Sequence, residues 1–232
     1  WHLAAEAARI TVVDAGEAGG VATPCSFAWI NASLGNPEPY FRLRRRAMAE
    51  WRRLAGAVPA LPLAWCGGLK WDVAPADRER FLQQHNGWGY GVRLVDRTEA
   101  ARLEPNLADP PDQALYVAEE GAVEPRAAAL ALLADATRRG AQVLTGGTVR
   151  ALIQAGGRIT GIETADGRLD ADEVVLAAGT GTATLVTSVG LELPLLRSPG
   201  LIAHSHPLPR RLLNGLVMAP GLHMRQTAEG RI

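Results

Sequence analysis

Asp14 closes a β-branched, apolar run, Ile10-Thr11-Val12-Val13-Asp14, that reads as a short buried parallel strand. An acid ending the second strand of a βαβ unit can accept hydrogen bonds from a nucleotide's ribose hydroxyls. It lies about 20 residues after the first glycine of a phosphate-binding turn. Counting back that far from Asp14 passes residue 1, so that turn is expected to precede the chain, with residues 1–8 as the remains of the helix that follows it. By itself Asp14 reads equally as an ordinary acid in a turn. The stretch Gly16-Glu17-Ala18-Gly19-Gly20-Val21-Ala22-Thr23 comes next. Small residues let a backbone approach a bulky ligand and turn its N–H groups toward a pyrophosphate or ribityl chain. Phe27-Ala28-Trp29-Ile30 follows at once and is too apolar for a solvated tip; a loop diving into the core beside a cofactor accounts for both halves. Residues 173–177 read as a further parallel strand, with Ala178 and Gly179 as the small-residue edge that a doubly wound sheet presents to ligand. This reading requires strands 10–14 and 173–177 to be neighbours in one sheet, with Asp14 and Ala178-Gly179 converging on one nucleotide.

Other polar residues carry less. His204 and His206 share a face if they lie on a strand, but no third metal ligand is evident, so an exposed strand and no metal are expected. Cys25 and Cys66 form neither a metal pair nor a disulfide framework, and Cys25 reads as a small buried thiol. Arg42, Arg44, Arg45 and Arg46 read as a solvated helix face.

The elements that must position these residues are legible from local pattern. Pro37 and Pro39 open a helix whose apolar stripe runs Tyr40, Leu43, Ala47, Trp51, Leu54, Val58. Between residues 59 and 119, strands at 69–73, 91–95 and 114–117 alternate with turns and small helices, one of them capped by Thr98. Pro125 opens a helix that runs to Arg139 and ends at Gly140, and a strand at 142–144 follows. Strands at 149–154 and 158–164 are joined by Gly156-Gly157, and Asp166-Gly167 makes a second hairpin. Residues 201–232 read as strand-like.

The chain has 232 residues, 47% hydrophobic and 21% charged, which marks it as globular. Its formal net charge of zero gives no electrostatic case for nucleic acid. Lys70 is the lone lysine; arginine and alanine richness suggests a GC-rich bacterial genome. No apolar run reaches the roughly 18 residues of a spanning helix. The two cysteines fit a reducing, cytoplasmic compartment.

In order and spacing, these motifs resemble the D-amino-acid oxidase/glycine oxidase superfamily of FAD-dependent oxidoreductases. The residues that carry the likeness are 10–16, Gly19 to Ser26, Gly121-Ala122-Val123-Glu124-Pro125 and 174–179; Ser26 to Ser33 resembles the glycine and D-amino-acid oxidases or dehydrogenases among them. The likeness covers essentially the whole chain and implies an α/β fold. An FAD-binding, Rossmann-like, doubly wound domain with a β-meander would occupy residues 1–58 and 120–200. An antiparallel-sheet α+β substrate domain would be interleaved at 59–119 and 201–232, both incomplete. By position, Asp14 would hold the adenosine ribose with Ala15 beside it, and Ala22 and Thr23 would line the pyrophosphate or ribityl path. Phe27, Ala28 and Trp29 would sit beneath the flavin, Val149 would meet the adenine through its backbone, and Ala178 and Gly179 would approach the pyrophosphate. Residues 218–225 resemble the strand that reaches the flavin face. There Arg225 could fix a substrate carboxylate bidentately, while His223 has no partner that the sequence names.

The implied chemistry is oxidation of a C–N bond, with hydride passing from an amine or amino-acid substrate to the flavin and reoxidation by oxygen or a respiratory acceptor. Two alternatives are a flavin dehydrogenase of a hydroxy acid or glycerol phosphate, and a non-catalytic piece. With the glycine turn expected before residue 1, these residues alone are expected to bind FAD weakly or not at all.

Overall fold

Proline and glycine mark many of the element ends. In the computed structural model, which describes residues 1–6, 8–33, 35–196 and 198–232, the strands and helices follow in this order: β1 (Thr11–Asp14), β2 (Trp29–Ile30), α1 (Glu38–Ala57), β3 (Leu63–Ala64), β4 (Gly68–Lys70), α2 (Pro75–Gly87), β5 (Val92–Asp96), α3 (Arg97–Leu103), β6 (Gln113–Val117), β7 (Gly121–Val123), α4 (Pro125–Arg138), β8 (Gln142–Thr145), β9 (Val149–Ala155), β10 (Arg158–Thr164), β11 (Gly167–Asp170), α5 (Thr182–Thr187), β12 (Leu216–Ala219) and β13 (Leu222–Met224). Pro39, Pro75 and Pro125 stand in first helical turns, where a missing N–H costs no hydrogen bond. The chain is α/β and packs as two compact units, Trp1–Pro24 with Leu132–Leu201 and Cys25–Ala131 with Ile202–Ile232. These change over at 24/25, 131/132 and 201/202. The division at 58/59, 119/120 and 200/201 remains a proposal about the family fold.

In the first unit β1 and β8 pair in parallel, Val12 beside Val143 and Asp14 beside Thr145. The meander has the order β11-β10-β9 and is antiparallel throughout. Its first turn needs two left-handed residues, and Gly156 and Gly157 supply φ of 59° and 76°. Two expectations fail here. Residues 1–8 form no helix, only a 3-10 turn at Leu3–Ala5, and Ala7 lies outside the described residues. So short a run cannot recover the cost of helix nucleation. Residues 173–177 are not a strand either. A strand exists by its ladder, and among the described residues this segment has none; Val175 is 74% exposed. The required neighbouring of strands 10–14 and 173–177 is therefore not met: β1 pairs with β8 alone among the described strands.

The second unit holds a five-stranded sheet, order β13-β12-β4-β6-β5, and a three-stranded sheet, order β2-β7-β3. The larger sheet is mixed and not wholly antiparallel, because β12 runs parallel to β4. The long connection between them allows the chain to return in the same direction. Leu69, Val95, Ala100 and Ala114 form one core cluster, against which Trp71, Leu103, Leu107 and Tyr116 pack. Glu104 is buried and accepts the amides of Asn214 (2.8 Å) and Gly215 (2.6 Å), which fixes the approach to β12.

The stripe expected for α1 holds at its end, where Leu54 and Val58 are buried, and shifts at its start. Tyr40 and Leu43 are 50% and 59% exposed, while Phe41 and Met48 are buried in their place. An aromatic cluster draws Phe41 inward: its ring centroid lies 4.8 Å from Trp88, 5.7 Å from Tyr90 and 5.8 Å from His85. The arginines of α1 are not a simple solvated face. Arg44 bonds the carbonyl (3.0 Å) and the side chain (2.5 Å) of Asn31, and Arg45 pairs with Glu119. The N-cap of α3 is Asp96, whose carboxylate accepts from Glu99 N at 2.8 Å, and not Thr98, which lies inside the helix. His204 and His206 are exposed but lie on no strand, so the tail is strand-like only at β12 and β13.

Candidate functional site

The segment from Ser26 to Ser33 is built by local bonds first. Ser26 Oγ accepts the Ala28 amide at 3.1 Å, and Ala28 takes φ of 56°, a left-handed value costly for a residue with a Cβ. From there Trp29 and Ile30 pair antiparallel with Ala122 and Gly121, and Val123 N donates to Ala28 O at 3.2 Å. Phe27 and Trp29 pack against Ala122, Leu216 and Met218. The three residues expected beneath the flavin are thus seated on the edge where β7 and β12 meet.

Below this edge lies a carboxylate that the sequence did not flag. Glu120 is buried at the turn between β6 and β7. Trp29 Nε1 donates to its Oε2 at 2.8 Å, Tyr90 Oη donates to its Oε1 at 2.6 Å, and Ser33 Oγ also donates to Oε1. Gly68 makes the room: a Cβ there would come 2.6 Å from Glu120 Oε2. Burial pushes the Glu120 carboxyl up to about 7, against the opposing pull of its three donors and of the Lys70 charge. Tyr90 is pushed up as well, by its own burial and then by the Glu120 charge. Neither position could be singled out in advance, because an acid before a glycine and a tyrosine before a strand are ordinary in sequence.

His223 acquires the partner that sequence reading lacked. Its Nε2 lies 2.8 Å from Asp72 Oδ2, and Lys70 Nζ lies 2.7 Å from Asp72 Oδ1 as an ion pair without hydrogen-bond alignment. Lys70 Nζ also stands 5.8 Å from the Trp29 ring centre, and the Phe27 and His223 rings are 6.3 Å apart. A His–Asp–Lys row therefore borders Phe27 and Trp29, assembled from β4, the residues after it, and β13. Arg225 is placed differently. Its Nη1 and Nη2 bond Glu124 Oε1 (3.0 Å) and Oε2 (3.3 Å), with only 11% of the side chain exposed. Glu124 Oε1 also accepts the Ala228 amide at 3.1 Å.

The remaining expected residues lie in the first unit. Asp14 ends β1, and its Oδ1 accepts the Gly16 amide at 2.9 Å. Ala15, Ala22, Ala178 and Gly179 are exposed and Thr23 is half-buried; Val149 opens β9, and Gly179 takes φ of 56°. Cys25 is exposed at the end of the Thr23–Cys25 turn, not buried as expected. A separate cavity of about 200 Å³ is lined by Cys66, Glu104, Tyr116 and Asn214 among others. Burial raises both the Cys66 thiol and the Glu104 carboxyl there.

The profile of a family described as FAD dependent oxidoreductase matches residues 1–232. The chain belongs to that family. Its cofactor is FAD. Glycine oxidase from Pseudomonas putida is 31% identical over an alignment 216 residues long, which covers 84% of this chain and 55% of that protein. The structure of glycine oxidase from Geobacillus kaustophilus superposes with a TM-score of 0.84 at 23% identity, covering 99% of this chain and 64% of that one. L-proline dehydrogenase from P. horikoshii gives a TM-score of 0.86 at 20% identity, covering 99% and 63%. At these identities the structural likeness speaks to the fold. The chain spans about half the length of the curated relatives it matches. No described helix is long and apolar enough to cross a membrane.

The residues present fit parts of FAD. Asp14 ends a parallel strand with Oδ2 unpartnered among the described residues, and a Cβ on Gly16 would meet nothing within 4 Å, so the backbone there is open to a ligand. Phe27 and Trp29 are half-buried, apolar and anchored, which suits contact with a flat ring system.

Proposed function

We propose that the protein oxidises the C–N bond of an amino acid or secondary amine of the glycine, sarcosine or D-amino-acid type. The observation that supports this most is the 31% identity to glycine oxidase from Pseudomonas putida over 216 residues. FAD supplies the hydride acceptor for such a reaction. The protein's part is to bind and orient. Asp14 takes the ribose hydroxyls with Ala15 beside it, while Ala22 and Thr23 offer small side chains and backbone to the pyrophosphate and ribityl chain. For Ala178 and Gly179 a place near the pyrophosphate rests on position in the family alone, since residues 173–177 form no strand beside β1. Val149 meets the adenine through its backbone, and Phe27, Ala28 and Trp29 bed the ring. The interleaved division into cofactor-binding residues 1–58 and 120–200 and substrate-binding residues 59–119 and 201–232 belongs to the same proposal. Arg225 is the candidate for the substrate carboxylate, and a substrate there must share or displace Glu124. The electrons leave to oxygen or a respiratory acceptor.

The test is anaerobic mixing of the FAD-loaded protein with glycine, sarcosine or D-alanine, and separately with glycolate or glycerol phosphate. Loss of the oxidised flavin absorbance with an amine and not with the hydroxy compounds is the expected result. Bleaching by a hydroxy compound alone would overturn the proposal in favour of hydroxy-acid chemistry.

A further inference from the structure

The Glu120 carboxylate serves both ends of one short segment. It accepts from Trp29 at the start of that segment and from Ser33 at its end. It accepts from Tyr90 too, whose hydroxyl oxygen in turn receives the Ala32 amide at 3.0 Å. Arg44 holds Asn31 between them. The segment begins at Ala28, which carries the one positive φ among the described non-glycine residues. Strained backbone persists only where surrounding contacts over-determine it, and here those contacts converge on one side chain.

We infer that Glu120 is the positioning residue of the Phe27–Ser33 bed, acting through Trp29, Ser33 and Tyr90 to hold the shape in which the bed meets the isoalloxazine ring of FAD. This rests on the functional proposal above, which places that ring against Phe27, Ala28 and Trp29. The three donors differ in what they tolerate. An indole N–H only donates, whereas the hydroxyls of Ser33 and Tyr90 donate or accept. A proton gained by Glu120 therefore settles on Oε1, where the hydroxyls can reverse, and leaves Oε2 to Trp29 as a neutral, weaker acceptor. The carboxyl is pushed up to about 7, so this change falls near neutrality: the clamp is charge-assisted above that pH and neutral below it. The charged and titratable groups facing the cluster are Lys70 from β4, itself paired to Asp72, then Tyr90 ahead of β5, and Glu119 with its partner Arg45 from α1. His223 bonds Asp72, and its ring lies 6.3 Å from that of Phe27.

Glutamine at 120 can mimic the protonated state, its carbonyl toward Trp29 and its amide toward the two hydroxyls. The test follows the Trp29 indole N–H resonance, assigned by its absence in Trp29→Phe, through a pH titration of the 232-residue chain. FAD affinity is measured in parallel from flavin fluorescence. In the unmodified chain the indole signal shifts with a midpoint near 7, and FAD binds more tightly above that midpoint. In Glu120→Gln the signal is flat and affinity no longer depends on pH across this range. In His223→Gln the midpoint stays in place. Glu120→Leu, which strands the indole donor, weakens FAD binding about tenfold or more, the scale of one charge-assisted hydrogen bond. An indole signal that does not titrate, or titrates equally in Glu120→Gln, overturns the inference. So does FAD affinity unchanged in both Glu120→Leu and Trp29→Phe. Absence of FAD binding at every pH, beside an intact indole titration, agrees with the weak binding expected of these residues alone, and the indole titration then decides the clamp by itself.

Discussion

Arg225 and His223 lie two residues apart and carry similar information in sequence, yet the fold gives them opposite settings. The guanidinium is enclosed and bidentate on Glu124, while the imidazole is half-exposed and held on one nitrogen by Asp72. Removing one partner of an enclosed pair leaves the other desolvated and unmatched. Arg225→Met is therefore expected to cost on the order of 2 kcal/mol in urea unfolding. A raised KM for an amino-acid substrate beside that loss would support the substrate role proposed for the guanidinium, and an unchanged KM would remove it. The same contrast shows how much of the candidate site was legible in advance. Phe27, Ala28 and Trp29 stood out because an apolar run after a glycine-rich loop is abnormal in a one-dimensional pattern. Glu120, Tyr90 and Asp72 did not, because what distinguishes them is enclosure and convergence, and neither has a local sequence mark.

Among the elements, turns and caps behaved as local chemistry requires, with errors of one or two residues. The Gly156-Gly157 hairpin and the proline-led helices follow from backbone preferences alone. The cap of α3 moved to Asp96 because its carboxylate reaches Glu99 N, three residues on. Asp96→Ala is expected to destabilise the protein by about 1 kcal/mol, seen as a lower thermal midpoint, and Thr98→Ala by much less. An equal effect of the two would return the cap to Thr98. The shift at the start of α1's apolar face has a different origin. Tyr40 and Leu43 fit the helical period as well as Phe41 and Met48 do, and the rings of His85, Trp88 and Tyr90 select between the two stripes.

At the scale of the whole molecule, the sheets differ in how many neighbours support them. The β1–β8 pair has two strands, whereas β4, β6 and β12 each have partners on both sides. Two-stranded sheets are marginal in water and wider ladders are not. Hydrogen exchange is therefore expected to be faster at Val12, Val13 and Val143 than at Leu69, Leu115 and Val217. Equal protection in the two sheets would mean that β1 gains support beyond its pairing with β8.

The sequence by itself determined the α/β class, most helices and hairpins, and the FAD-linked family, because period, turn chemistry and motif order are properties of nearby residues. Tertiary structure alone decided that residues 173–177 find no ladder, that β12 joins β4 in parallel, and that Glu120 collects Trp29, Ser33 and Tyr90. Each of these depends on groups brought together from distant parts of the chain. A strand needs a partner edge, and a buried carboxylate needs donors, which its own neighbours in sequence do not reveal.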